Sequence, residues 1–147
     1  MAHIDTFRDL LHQENGLVVV STVRADLTVQ SSVVNAGLMR HPVGGAEVVA
    51  LVAAGRSAKL AHLRARPQCT LVARVGWQWV AVEGSAMLIG PDDPAPGFDA
   101  DAVRVLLRGV FVAAGGAHDD WDEYDRVMAL ERRTAVFVTP SRVYSNG

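Results

Sequence analysis

The chain has 147 residues, half of them hydrophobic and a fifth charged, with a formal net charge of −2. That size suits one domain, 1–147, with a core of its own, and the composition excludes disorder. The charge balance offers no basic face to nucleic acid, and no apolar run reaches the roughly eighteen residues of a membrane helix.

Ile4, Phe7, Leu10 and Leu11 recur at helical spacing over 4–12, and Asn15-Gly16 closes that helix. A β-branched run over 17–23 reads as a strand. The stretch Arg24-Ala25-Asp26-Leu27 connects it as a hairpin to a second strand over 28–39. After the loop from Arg40 to Gly45, residues 47–54 form a third strand. Ser57 is positioned to cap a short helix carrying Lys59, Leu60 and Leu63, which Pro67 ends. Strands follow over 68–75 and 77–89, separated by Gly76.

The 77–89 strand has two distinct faces. Val80, Val82, Gly84, Ala86 and Leu88 form a small apolar face suited to a barrel interior. Trp77, Trp79, Glu83, Ser85 and Met87 form a mixed face of the kind that lies under a partner subunit. The three prolines of 90–97 require an irregular loop. A helix over 101–114 turns Val103, Leu106, Leu107, Val110 and Phe111 inward. Asp120 and Glu123 form a capping box for a helix with Trp121, Tyr124 and Met128 on one face. The last strand covers 134–139 and ends at Pro140. Antiparallel neighbours joined by short turns, with few helices, give a fold that is mainly β with flanking helices, a small closed barrel.

Lys59 is the single lysine beside thirteen arginines. It follows Gly55-Arg56-Ser57-Ala58 at a helix start, where free N–H groups and the helix dipole attract anions. Two cations there are unfavourable by roughly 0.3–1 kcal/mol each unless something compensates. A phosphate or carboxylate would do so; a solvated turn is the alternative reading.

Few other chemistries fit. There is no Gly-x-Ser-x-Gly elbow, no zinc spacing among five histidines, and no Gly-x-Gly-x-x-Gly or Walker loop. His118-Asp119-Asp120 is explained by a capped helix start rather than a cation. Cys69, alone in an apolar run, is a buried thiol and fits a reducing cytoplasm, and Met1-Ala2-His3-Ile4-Asp5 has no signal-peptide layout. No catalytic residue or metal ligand emerges. An anion pocket without acid, base or nucleophile suits a protein whose cofactor carries the chemistry. Trp77, beside Gly76, could stack on a planar ring; Trp79 reads as packing at a dimer interface. Gln30, Ser32 and Asn35 lie among valines, on a strand able to hydrogen-bond a heterocycle or simply exposed.

Three motifs carry a resemblance: Lys59-x-x-x-Leu63-x-x-x-Pro67; Gly76-Trp77 leading to Val82-Glu83-Gly84; and His118-x-Asp120-Trp121-Asp122-x-Tyr124 followed by Arg132-Arg133 and Val143-Tyr144. Through them the chain resembles the split-barrel, flavin-binding pyridoxamine-phosphate-oxidase-like proteins, and within these the actinobacterial deazaflavin-dependent reductases that use coenzyme F420. The resemblance implies a cytoplasmic homodimer with cofactor grooves between subunits, and hydride transfer from reduced F420 to a small conjugated organic acceptor. It places Lys59 on the cofactor phosphate with Arg56, Ser57 and Ala58 beside it. Gln30, Ser32, Val33 and Val34 would lie along the ring, with Trp77 and Trp79 at the pocket. Arg64 and Arg66, or arginines of a partner, would meet an acidic tail. The flavin mononucleotide (FMN) enzymes of the superfamily usually place more cations around the phosphate than Arg56 and Lys59 provide. An FMN enzyme and a non-catalytic cofactor-binding protein are the alternatives.

Overall fold

The computed structural model describes residues 3–147; Met1 and Ala2, the start of the stretch read for a signal peptide, lie outside them. The elements in order are α1 (Ile4–Gln13), β1 (Leu17–Val23), β2 (Val29–Arg40), β3 (Glu47–Ala53), α2 (Ala58–Ala65), β4 (Gln68–Val75) and β5 (Gln78–Ile89). They are followed by α3 (Ala100–Ala113), α4 (Trp121–Leu130) and β6 (Thr134–Ser145). The six strands close into an antiparallel barrel in the order β1-β2-β3-β6-β5-β4, with β4 returning to β1. This is the closed barrel with flanking helices that the chain order implies.

Two apolar cores explain which runs alternate and which do not. Inside the barrel, Val18, Val20, Leu51, Leu71, Val80, Val82 and Val136 meet Phe7, Leu10 and Leu11 of α1 and Leu60 and Leu63 of α2. Outside it, Val48, Ala50, Ala135 and Phe137 on β3 and β6 are covered by Leu107 and Val110 of α3 and Tyr124 of α4. β3 and the first half of β6, residues 134–138, are therefore buried on both faces, and these runs are almost continuously apolar. β1 and β2 have one uncovered face and alternate.

Three local expectations are corrected. β6 does not end at residue 139 but runs through Pro140 to Ser145. The ladder absorbs the proline with a bulge, where Gly84 faces Pro140 and Glu83 faces Arg142, leaving Ser141 as the extra residue. Ser57 occupies the cap position of α2, yet its side chain makes no capping hydrogen bond. The box at α4 is half made. Asp120 accepts the Glu123 N–H at 3.1 Å, whereas the Glu123 carboxylate reaches Arg126 instead of turning back.

Residues 90–133 form an excursion between two strands that pair with each other. Its attachment to the barrel depends on glycines. A Cβ at Gly37 would sit 2.0 Å from Ala113 O, and one at Gly16 2.5 Å from Ala114 O. The last turn of α3 therefore lies directly on the backbone of β2 and of the α1–β1 turn.

Candidate functional site

A cleft of about 560 Å³ opens where that excursion meets the barrel. One wall is the β2 backbone at Val33, Val34 and Asn35, and another is the end of β3 with Ser57 and Lys59 of the α2 start. Val110, Phe111 and Ala114 of α3, Tyr124 and Met128 of α4, and Arg133 complete it.

The cleft is cationic. Lys59 and Arg133 line it, and no aspartate or glutamate does. Among the described residues Lys59 makes no hydrogen bond or ion pair. Burial lowers its pKa below the ordinary lysine value, and the Arg133 charge lowers it further. Arg133 is paired on one side, its Nε donating to Glu131 Oε1 at 2.9 Å. The Ser57 Oγ is buried with no partner. A half-buried ammonium, a guanidinium and an unsatisfied hydroxyl together form a donor set that lacks its acceptor.

Lys59 and Arg133 are far apart in sequence but held together by the backbone. The Gly55 N–H donates to Glu131 O at 3.0 Å, tying the loop before α2 to the segment after α4. A Cβ at Gly55 would meet Arg132 Cβ and Arg132 O at 2.7 Å, so the approach depends on glycine. Arg132 itself, at φ 50°, turns away and forks Asp92 through Nε (2.8 Å) and Nη2 (2.6 Å). Of the Arg132-Arg133 pair, one fixes a loop and the other enters the cleft.

The apolar wall is equally fixed. Phe111 packs on Tyr124 with ring centroids 4.9 Å apart, and Trp121 and His118 complete the cluster. The Tyr124 hydroxyl donates to Leu107 O at 3.1 Å, and burial raises its pKa. His118 Nδ1 accepts the Asp120 N–H at 3.0 Å, so this histidine belongs to the helix start. Cys69 is buried, its thiol pushed up to about 12 by desolvation. No group of three or more metal-ligating side chains occurs among the described residues.

Of the residues singled out from the sequence, Lys59, Ser57, Val33 and Val34 come together in the cleft. Arg56 and Ala58 are exposed beside it and do not line it. Gln30 and Ser32 are half-buried on β2 outside the cleft, and Gln30 Oε1 is buried without a partner. Within one chain Trp77 is elsewhere, 92% exposed, sharing a shallow depression with Arg74, Gly76 and Trp79. Trp79 packs edge-on against Tyr144 at 6.0 Å. Arg64 forks Asp93 and Arg66 donates through Nε to Val23 O at 3.1 Å, and neither lines the cleft. Arg133, Phe111 and Met128 were missed. The Arg132-Arg133 and Tyr124 positions were visible as motif residues, but nothing local said which would face a ligand.

No family model matches this sequence. Solved structures do share its fold. A conserved hypothetical protein from Mycobacterium tuberculosis aligns at 17% identity over 99% of this chain and 84% of its own, with a TM-score of 0.63. A pyridoxamine 5'-phosphate oxidase-related, FMN-binding protein from Nostoc punctiforme aligns at 13% identity, over 99% and 86%, with a TM-score of 0.61. An F420 reductase aligns at 13% identity, over 88% and 90%, with a TM-score of 0.60. The chain therefore has the split-barrel fold of FMN-binding proteins. Identities this low carry the fold and nothing finer.

Proposed function

We propose that the protein is a homodimeric oxidoreductase that binds reduced coenzyme F420 in this cleft and serves a small, conjugated, electron-poor acceptor. The observation that carries the reading is the unpartnered Lys59 beside Arg133 and the orphaned Ser57 hydroxyl, in a cleft without a carboxylate. The F420 reductase among the fold relatives supports it.

The donor set fits an anionic cofactor. Lys59 and Arg133 would hold its phosphate, with Ser57 Oγ donating a hydrogen bond. The deazaflavin supplies the hydride when bound. Val33, Val34, Phe111 and Met128 present the apolar surface a flat ring needs and exclude water from it. Tyr124, its hydroxyl engaged with Leu107 O, is a wall and not a proton donor.

The second subunit is supported by a row of side chains exposed at Val33, Val19 and Tyr144. Val33 pairs with Val19, Val19 with Val72, Val72 with Ala81 and Ala81 with Tyr144, so one line crosses β2, β1, β4, β5 and β6. Val33 is 63% exposed at one end and also lines the cleft. A partner laid on this face would close the open side, and its own Trp77 is free to reach across.

FMN is the second reading, and Arg133 favours it by adding a cation near Lys59, enough for a phosphate dianion. Titration with each cofactor, read by tryptophan fluorescence, decides between them. The proposal expects saturable quenching by F420, no tight FMN binding and a colourless purified protein. Tight FMN binding transfers the site to the flavin, and silence toward both removes the cofactor reading. Cofactor oxidation by no member of a broad acceptor panel would leave a binding protein rather than an enzyme.

A further inference from the structure

The aromatic wall of the cleft rests on a histidine whose hydrogen bond depends on its protonation state. His118 lies in the segment joining α3 to α4. Its ring centroid is 6.3 Å from that of Phe111, 6.0 Å from Trp121 and 5.7 Å from Tyr124. Phe111 and Tyr124 line the cleft itself.

His118 Nδ1 accepts the Asp120 N–H at 3.0 Å. A backbone N–H can only donate, so Nδ1 carries no proton in this arrangement and the ring is the neutral Nε2–H tautomer. A proton taken up by that ring goes to Nδ1. It sets a donor against a donor, and the bond is lost.

The charges around the ring define where it turns next. On its own segment, only Asp119 has a carboxylate within ion-pair reach among the described residues, 3.9 Å from Nδ1, and that side chain is fully exposed. Asp120 accepts the Glu123 N–H, and across α4 Glu123 is forked by Arg126 and Asp125 by Arg108. Asp122 stands exposed on the first turn of α4. From α3, Arg108 lies over Trp121, 5.2 Å from its ring, and the Tyr124 hydroxyl is spent on Leu107 O. The pull on a charged imidazole is therefore outward, toward Asp119.

The backbone permits that movement. Gly115 has a φ of 91° with open space where a Cβ would stand, a hinge at the end of α3. Gly116 is pressed on Phe111, where a Cβ would lie 2.5 Å from the ring. The segment that carries His118 thus bears directly on a residue of the cleft.

We infer that His118 is a pH-sensitive latch. Neutral, it fastens residues 115–120 and the start of α4 against Phe111; protonated, it swings to Asp119 and releases that wall of the cleft. Histidine changes charge between about pH 5 and 8, so acidification across this range is the trigger. The latch is a property of the chain alone and does not depend on the cofactor assignment.

Nuclear magnetic resonance of the ligand-free, 15N-labelled protein from pH 8 to pH 5 tests it. At pH 8 the long-range imidazole spectrum should show His118 as the Nε2–H tautomer. As the ring takes up its proton, the Asp120 amide proton should move upfield in step, and the Tyr124 amide should exchange about three- to tenfold faster after correction for intrinsic rates. His118→Gln, which keeps an acceptor but cannot titrate, should leave both amides unresponsive. An Nδ1–H tautomer at pH 8, a ring that stays neutral to pH 5, or a His118 titration that leaves the Asp120 or Tyr124 amide unmoved overturns the inference. So does an equal response in His118→Gln, which would assign it to another group; were that variant not to fold, the tautomer and the two amides of the unaltered protein still decide.

Discussion

Replacing Lys59 by Met should stabilise the empty protein while weakening its ligand. The ammonium is half-buried, has no partner among the described residues, and stands beside the Arg133 charge. Two like charges about 4 Å apart cost about 1 kcal/mol in water and about 4 kcal/mol near a protein surface, and less when further apart. The cleft is open to solvent, so the lower end applies. Methionine keeps most of the apolar stem. A gain of about 0.5–1 kcal/mol follows, or roughly 1–4 °C in Tm for a domain of this length. The pH dependence gives an independent check. The folded-state pKa of Lys59 lies below its unfolded value, so between the two the unfolded chain holds more protons. Stability of the unaltered protein should therefore carry a component that rises with pH on approaching the ordinary lysine value of about 10.4, and Lys59→Met should lack it. Ligand binding should move the other way, losing about 1.5–3 kcal/mol, or some 10- to 150-fold in Kd. Thermal unfolding from pH 7 to 10.5 and an F420 titration measure both. An unaltered Kd together with an unchanged or lower Tm would mean that the ammonium is merely solvated, and the anion-site argument would fail.

Four other outcomes can be checked. Gly37→Ala forces a Cβ to 2.0 Å from Ala113 O, a backbone clash, and should cost about 3 kcal/mol or more by denaturant unfolding. Cys69, with its thiol pushed up to about 12, should not react with a disulfide reagent at pH 8 until the protein unfolds. Because its folded pKa is raised above the unfolded value, stability from that thiol is intact below about pH 9 and declines as pH rises toward 12, seen as a falling Tm that Cys69→Ala lacks. Val33→Glu places a charge in the row beside Val19 and should yield a monomer by sedimentation; a dimer that survives it uses another face.

The barrel was readable because its strands state their own surroundings. β1 and β4 were bounded correctly from residue type alone, and the alternation of Val80, Val82 and Gly84 named the barrel interior. β6 was cut short because proline usually ends a ladder; that a bulge at Glu83/Gly84 would admit it is a property of the partner strand. The proposed anion site was half readable. Lys59 stood out by composition and the α2 start gave it a reason. Arg133 did not stand out, because its approach depends on Gly55 meeting Glu131 O, a contact between distant segments. Ser57 was misjudged for a related reason. Its sequence position is that of a cap, but the hydroxyl sits where the first turn of α2 cannot use it.

The division of labour within the chain follows from its topology. β5 and β6 pair directly with each other and residues 90–133 add no strand between them, so the hydrogen-bonded closure of the barrel does not pass through the excursion. The barrel contributes Lys59, Ser57 and the β2 backbone, features that suit an anion without selecting one. The excursion contributes Arg133, Tyr124, Phe111 and Met128, and with them the size of the cleft and its second cation. It is joined to the barrel through close contacts at Gly16, Gly37 and Gly55 and through the fork of Arg64 on Asp93. Substitutions at Met128 and Arg133, which line the cleft without being fully buried, should therefore alter ligand choice at less cost to folding than substitutions at Tyr124 or at those glycines. A site assembled in this way can change its ligand while keeping its frame, so under the proposed function the fold leaves the cofactor open and the residues of the excursion would select it.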